Sequence, residues 1–128
     1  MSFKTTFWIR FSIFNLMLVA LLGLLMRYKI VFEFPLLDQK SVQHSHSHFA
    51  FAGWVTHTLM TLLIAFLQKH DTLNKIAFKK YNLVLIGNLI CSYVMLISFI
   101  MQGYGAISIT FSTLSIFVSY WFAYAFFK

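Results

Sequence analysis

Histidines are concentrated in one short stretch of this chain, residues 42–57, which reads VQHSHSHFAFAGWVTH. It holds His44, His46, His48 and His57, and it runs directly into an apolar segment. Neutral imidazole is a ligand for haem iron, zinc and copper, and an ionisable residue inside an apolar span is usually functional. The pattern therefore has three interpretations: an axial haem ligand, a transition-metal site, or histidines that are only solvated at a membrane boundary.

A helix through this stretch would divide the histidines between two faces. His44 and His48 are four residues apart and share one face. His46, Gly53 and His57 share another, because steps of seven and eleven residues return near the same angle. Gly53 would leave a groove there for a flat macrocycle, with an imidazole above it. The alternative is a zinc or copper site made by His44, His46 and His48, with no cysteine or carboxylate beside it.

The composition is that of a membrane protein rather than a soluble domain. Of 128 residues, 60% are hydrophobic and only 10% are charged, whereas a soluble domain has roughly a quarter charged residues. The formal charge of +7 lies in the gaps between apolar runs, where lysines meet lipid headgroups. We therefore expect the lipid bilayer, and not nucleic acid, as the partner of this surface.

Four apolar runs predict an all-α integral membrane protein with one transmembrane domain over residues 1–128. The predicted spans are about 7–26, 44–67, 81–101 and 107–127, each near the ~20 residues that cross a bilayer core as a helix. The helix of the second span is expected to begin before His44, capped by Asp38 or Ser41. Within the spans, Asn15, Asn82 and Asn88 are expected to form hydrogen bonds between helices.

The basic residues predict an orientation. With the N-terminus inside, seven basic residues lie on the inner side and three on the outer side, which favours cytoplasmic N and C termini. The histidine cluster would then face the periplasm of a bacterial inner membrane. The inner set is Lys4, Arg10, Lys69, Lys75, Lys79, Lys80 and Lys128, and the outer set is Arg27, Lys29 and Lys40.

Small residues form stripes on the third and fourth spans, and such stripes let membrane helices approach closely. We expect both spans to be packed by protein on two sides, within this chain or with copies or other subunits. The stripes are Gly87, Cys91, Val94 and Ser98 on the third span, and Ser108, Ser112, Ser115, Ser119 and Ala123 on the fourth.

The stretch H-S-H-F-A-F-A-G-W-V, residues 46–55, resembles the second helix of membrane proteins related to the catalytic subunits of haem-copper oxidases and nitric oxide reductases. The resemblance implies that His46 or His48 is the axial ligand of a low-spin haem at the outer end of that helix. His46 is preferred because it shares the Gly53 face. It also implies a cytoplasmic N-terminus, as the basic residues do.

The resemblance covers only the N-terminal part of such a subunit, helices one to four. The remaining ligands of those subunits lie in later helices, so this chain is expected to be a truncated gene, a fragment or a split subunit that needs a partner, and not to be catalytically complete on its own; no catalytic residue is assigned. The expected function is a haem-binding protein of electron transfer or respiration. The alternative is a small non-enzymatic membrane protein whose outer histidines bind copper or zinc or sense pH, or an assembly scaffold.

Overall fold

The computed structural model describes residues 3–33, 35–71, 78–103 and 105–127, which form helices joined by short turns. Within the second span a π-helical stretch joins α2 to α3, and we call it the π segment. The helices are α1 (Thr5–Val31), α2 (Gln39–Phe49), the π segment (Ala50–Thr56), α3 (His57–His70), α4 (Phe78–Gln102) and α5 (Ala106–Phe127). Lys75 and Lys128, two of the predicted inner cations, lie outside the described residues.

Four helical spans in this part of the chain are long and apolar enough to cross a membrane: α1, the second span from Gln39 to His70, α4 and α5. Each begins earlier or ends later than the apolar run that predicts it. The largest differences at one boundary are five residues: α1 continues to Val31 beyond the predicted end at residue 26, and the second span begins at Gln39 rather than at residue 44. An apolar run predicts only the part of a helix that is suited to the hydrocarbon core of a bilayer. The hydrogen bonding of a helix extends beyond that part, into residues suited to the polar headgroup region.

The four spans run alternately up and down, as contacts at their ends show. At one end the rings of Phe3 and Phe78 lie 6.3 Å apart, and the Tyr81 hydroxyl donates to the Ala125 carbonyl at 3.0 Å. We call this the terminal end, because α1 begins and α5 ends there. At the other end, the histidine end, the Ser45 hydroxyl donates to the Leu96 carbonyl at 2.9 Å.

Two local features fix the turns at the histidine end. The Asp38 carboxylate accepts a hydrogen bond from the backbone N–H of Ser41 at 3.1 Å, so Asp38 is the N-cap of the second span. Gly103 has a φ of +64°, a left-handed conformation that favours glycine, and it allows the tight turn from α4 into α5.

Helix α4 is the centre of the bundle, and α5 is at its edge. In the most apolar 18-residue stretch of α4 half of the residues are buried, whereas only 11% of the corresponding stretch of α5 is buried. Helix α5 packs chiefly on α4, where Gly87 faces Val118 and Tyr81 packs on Phe122. Within the described part of this single chain, packing on two sides is therefore found for α4 but not for α5, and packing of α5 against copies or other subunits stays a prediction. The one-sided packing leaves a gap between α5 and the second span.

Candidate functional site

Two of the clustered histidines face α4. The imidazole of His48 stacks on the Phe99 ring with centroids 4.5 Å apart and planes 10° from parallel. His44, one turn earlier on the same face, lies 6.3 Å from the same ring. Both side chains are therefore held against the histidine end of α4, as expected for residues four apart on one helix.

The other face of the second span packs on α1. Cε1 of His46 lies 3.4 Å from the point where a Cβ would stand on Gly23, so this glycine leaves room for the imidazole. Nδ1 of His46 is buried and has no hydrogen-bond partner within the described part of the chain. His57 is fully buried, with Nε2 3.3 Å from the carbonyl oxygen of Trp8. The rings of His46 and His57 thus both lie against α1.

The three histidines of the expected metal site lie on two different faces of the second span. His46 lies against α1, whereas His44 and His48 lie against α4. Among residues 3–33, 35–71, 78–103 and 105–127, no group of three or more His, Cys, Asp or Glu side chains could hold a metal ion. In this arrangement the H-x-H-x-H run does not converge on one ion.

Two asparagines from neighbouring helices hold the π segment. Nδ2 of Asn15 on α1 donates to the Gly53 carbonyl at 2.6 Å, and Nδ2 of Asn88 on α4 donates to the Ala52 carbonyl at 2.9 Å. The Tyr93 hydroxyl donates to Oδ1 of Asn15 and orients that amide. Side-chain donors to two consecutive carbonyls support a widened helical turn, and such turns are frequent at functional sites.

These contacts confirm that the three asparagines of the predicted spans form hydrogen bonds between helices. Besides Asn15 and Asn88, Asn82 accepts a hydrogen bond from Nε1 of Trp8 at 3.0 Å, which joins α4 to α1. The π segment itself was not predicted from the sequence. Gly53 and the small residues around it were the available signal, but the asparagines that hold the segment come from helices distant in sequence.

The groove expected beside Gly53 is filled by the chain itself. A Cβ on Gly53 would lie 2.8 to 3.1 Å from three ring carbons of Phe49, a fully buried residue. The Asn15 amide holds α1 against the same glycine. A haem macrocycle therefore does not fit on the face that His46, Gly53 and His57 were expected to offer it.

A cleft is present instead on the α4 side, between the second span, α4 and α5. Its volume is about 320 Å³, near the lower limit of small-molecule sites at roughly 300 Å³. Sequence reasoning assigned the serines of α5 to packing and missed the cleft, because it exists only where α5 stands away from the π segment. Its lining is His48, Phe51, Ala52, Thr56, Asn88, Met95, Ser112, Ser115, Ile116 and Ser119.

Asn88 is a side chain of this cleft with unused hydrogen-bonding capacity. It is 0% exposed, its Nδ2 is bonded to Ala52, and its Oδ1 is buried with no partner among the residues the structure describes. A buried polar atom left without a partner costs roughly 1–3 kcal/mol. Oδ1 of Asn88 is thus an unsatisfied acceptor on a residue that lines the cleft.

The serines of α5 add further acceptors. The Ser115 hydroxyl donates to the Ser112 carbonyl at 2.8 Å, and the Ser119 hydroxyl donates to the Ser115 carbonyl at 3.0 Å. Because each hydroxyl donates its hydrogen to a carbonyl of its own helix, the lone pairs of its oxygen remain as acceptors. No Asp, Glu, Lys or Arg is among the residues that line the cleft. The site therefore has no permanently charged side chain, has His48 as its one ionisable residue, and is rich in hydrogen-bond acceptors.

The fold and the cleft define an all-helical protein with four helices able to span a membrane and a polar cleft among them. A scan against protein-family models, a search of curated proteins and a search of solved structures each returned no match to this chain.

Proposed function

We propose that this chain is an integral protein of a bacterial inner membrane, with its terminal end in the cytoplasm and its histidine end at the periplasm. The charges of the described residues support this orientation. The terminal end carries Lys4, Arg10, Lys69, Lys79 and Lys80, and the histidine end carries Arg27, Lys29 and Lys40. The exposed Leu, Ile and Phe side chains of α1 and α5 would then contact lipid.

Its proposed function is to bind a small molecule inside the membrane, in the cleft between the second span, α4 and α5. The observation that carries this proposal is Asn88, a residue of the cleft wall whose buried Oδ1 has no partner among the described residues. The desolvation cost of that atom is not recovered within the chain, and a donor bound in the cleft would supply the missing hydrogen bond. We assign binding to the cleft and no reaction.

Native mass spectrometry of the protein released from its own membranes in mild detergent tests this function. Wild-type protein is expected to carry a small compound. Ser112→Leu, which fills the cleft, is expected to lose it, and Thr113→Leu, which changes an exposed position on the same helix, is expected to keep it. A wild-type protein without a compound, or equal retention by both variants, would overturn the proposal.

A second candidate is a haem-binding subunit of electron transfer, related to the N-terminal helices of haem-copper oxidases. It is supported by the resemblance of residues 46–55 and by the buried, unpartnered Nδ1 of His46. Because Phe49 and α1 close the Gly53 face, this function requires the chain to repack against further helices. We therefore place it second to ligand binding in the cleft.

A reduced-minus-oxidised visible spectrum of protein purified from haem-supplied cells tests the second candidate. Soret and alpha bands that persist in His70→Ala but vanish in His46→Ala would support it, since His70 lies at the terminal end. Bands that vanish with His70 instead would contradict it. Copper or zinc in the same preparation, without a Soret band, would favour a metal-binding role for His44, His46 and His48.

A further inference from the structure

The cleft opens sideways, toward the surface that faces lipid when the four helices span a bilayer. Two of its lining residues are large apolar side chains on that surface: Phe51 of the π segment is 69% exposed, and Ile116 of α5 is 52% exposed. They stand on the two elements that flank the gap. A molecule dissolved in the bilayer could therefore pass between the π segment and α5 without crossing the polar interface.

The residues that line the cleft behind this opening determine which head group it can bind. Oδ1 of Asn88 and the lone pairs of Ser115 and Ser119 are acceptors, so they favour an occupant that donates hydrogen bonds. No Lys or Arg lines the cleft to pair with a phosphate or carboxylate, and no Asp or Glu to pair with an ammonium; its one ionisable side chain is His48, which is stacked on Phe99. Burying an unpaired charge there would be expensive. A neutral hydroxyl head group meets all of these conditions.

The size of the cleft agrees with a head group rather than a whole lipid. A volume of about 320 Å³ holds a small ring or a short chain. The rest of the molecule would leave through the mouth and lie along Phe51 and Ile116 in contact with lipid tails.

We propose that the cleft binds the hydroxyl head group of a lipid-soluble alcohol or phenol that enters from the bilayer between the π segment and α5. The inference rests on the proposed function, of which it names the ligand class. Two features support it together: Asn88 in the cleft wall has an amide oxygen without a partner among the described residues, and the opening of the cleft is lined by the apolar side chains of Phe51 and Ile116.

The test uses 4-hexylresorcinol, which carries two phenolic hydroxyls and a short apolar tail. Its dimethyl ether keeps the shape and loses both donors, and resorcinol keeps both donors and loses the tail. The full chain is reconstituted in nanodiscs, and bound tritiated 4-hexylresorcinol is counted by scintillation proximity.

Saturable binding is expected, with unlabelled 4-hexylresorcinol displacing the label at least about tenfold better than the ether, the effect of one or two net hydrogen bonds. Resorcinol is expected to displace it weakly. Binding should be lost in Ser112→Leu and kept in Thr113→Leu. Equal displacement by the ether would overturn the donor head group, and equal displacement by resorcinol would overturn entry of an amphiphile from the bilayer.

Different outcomes of these experiments would overturn the binding function and the ligand class. If 4-hexylresorcinol does not bind saturably while Ser112→Leu still removes a compound that co-purifies with the wild-type protein, the ligand class is wrong and the binding function stands. If no probe binds and no compound co-purifies, both are wrong.

Discussion

Gly53 and Phe49 illustrate at the scale of single residues why the chain closes the groove that its sequence predicts. Glycine was expected to leave space for a ligand on the α1 side of the second span. The buried Phe49 ring occupies that space, one turn earlier on the same helix. Phe49 belongs to the same chain as Gly53, so it fills the space beside this glycine without the entropy cost of binding a separate molecule. A glycine alone therefore does not establish a ligand site.

Gly53→Ala is expected to destabilise the protein, because its Cβ would lie 2.8 Å from the Phe49 ring in a buried setting. Overpacking of this kind typically costs about 1–3 kcal/mol. The free energy of unfolding in mixed detergent, followed by tryptophan fluorescence, measures the effect. Gly23→Ala is the control, because its nearest contact at 3.4 Å is ordinary. Equal stability of the two variants would contradict the packing described.

The π segment shows at the scale of elements how much the sequence predicts. A helix through the histidines, its start near Asp38 or Ser41, and bonding by the asparagines follow from local pattern, and the structure confirms each. The change of helical type at Ala50–Thr56 does not follow, because it depends on Asn15 and Asn88, which lie 38 and 36 residues from the carbonyls they bind. Local propensity carries no information about such partners.

Removal of one asparagine should loosen this segment. Asn15→Leu deletes the hydrogen bond to the Gly53 carbonyl and should raise amide hydrogen exchange over Ala50–Thr56 by about fivefold, the effect of ~1 kcal/mol. Mass spectrometry of peptides from this region gives the rates, and peptides from α5 are the internal reference. Unchanged exchange in the π segment would show that the asparagines do not hold it.

At the scale of the whole molecule, the sequence predicts the number of spans but not their packing. Apolar runs and basic gaps are local properties, and they predict four spans with both ends of the chain at one end of the bundle. The cleft depends on α5 packing chiefly on α4, which the serine stripe did not predict. A stripe of small residues is compatible both with a packed helix and with a polar wall.

The proposed orientation predicts which ends react with a membrane-impermeant maleimide in whole cells. In a Cys91→Ala background, Ser47→Cys at the histidine end should be labelled in cells with a permeable outer membrane. Lys69→Cys at the terminal end should be labelled only after the inner membrane is opened. Both positions are exposed, so access to the side chain is matched. The reverse pattern would invert the orientation.

The central claim is that Oδ1 of Asn88 receives a hydrogen bond from a molecule in the cleft. The most direct measurement is the ¹³C shift of the Asn88 side-chain carbonyl in nanodiscs, titrated with 4-hexylresorcinol and with its dimethyl ether. Asn82 is the control, because its Oδ1 already accepts from Trp8. A saturable downfield shift is expected at Asn88 with the phenol alone, and none is expected at Asn82. An unmoved Asn88 signal, or equal shifts with the ether, would contradict it.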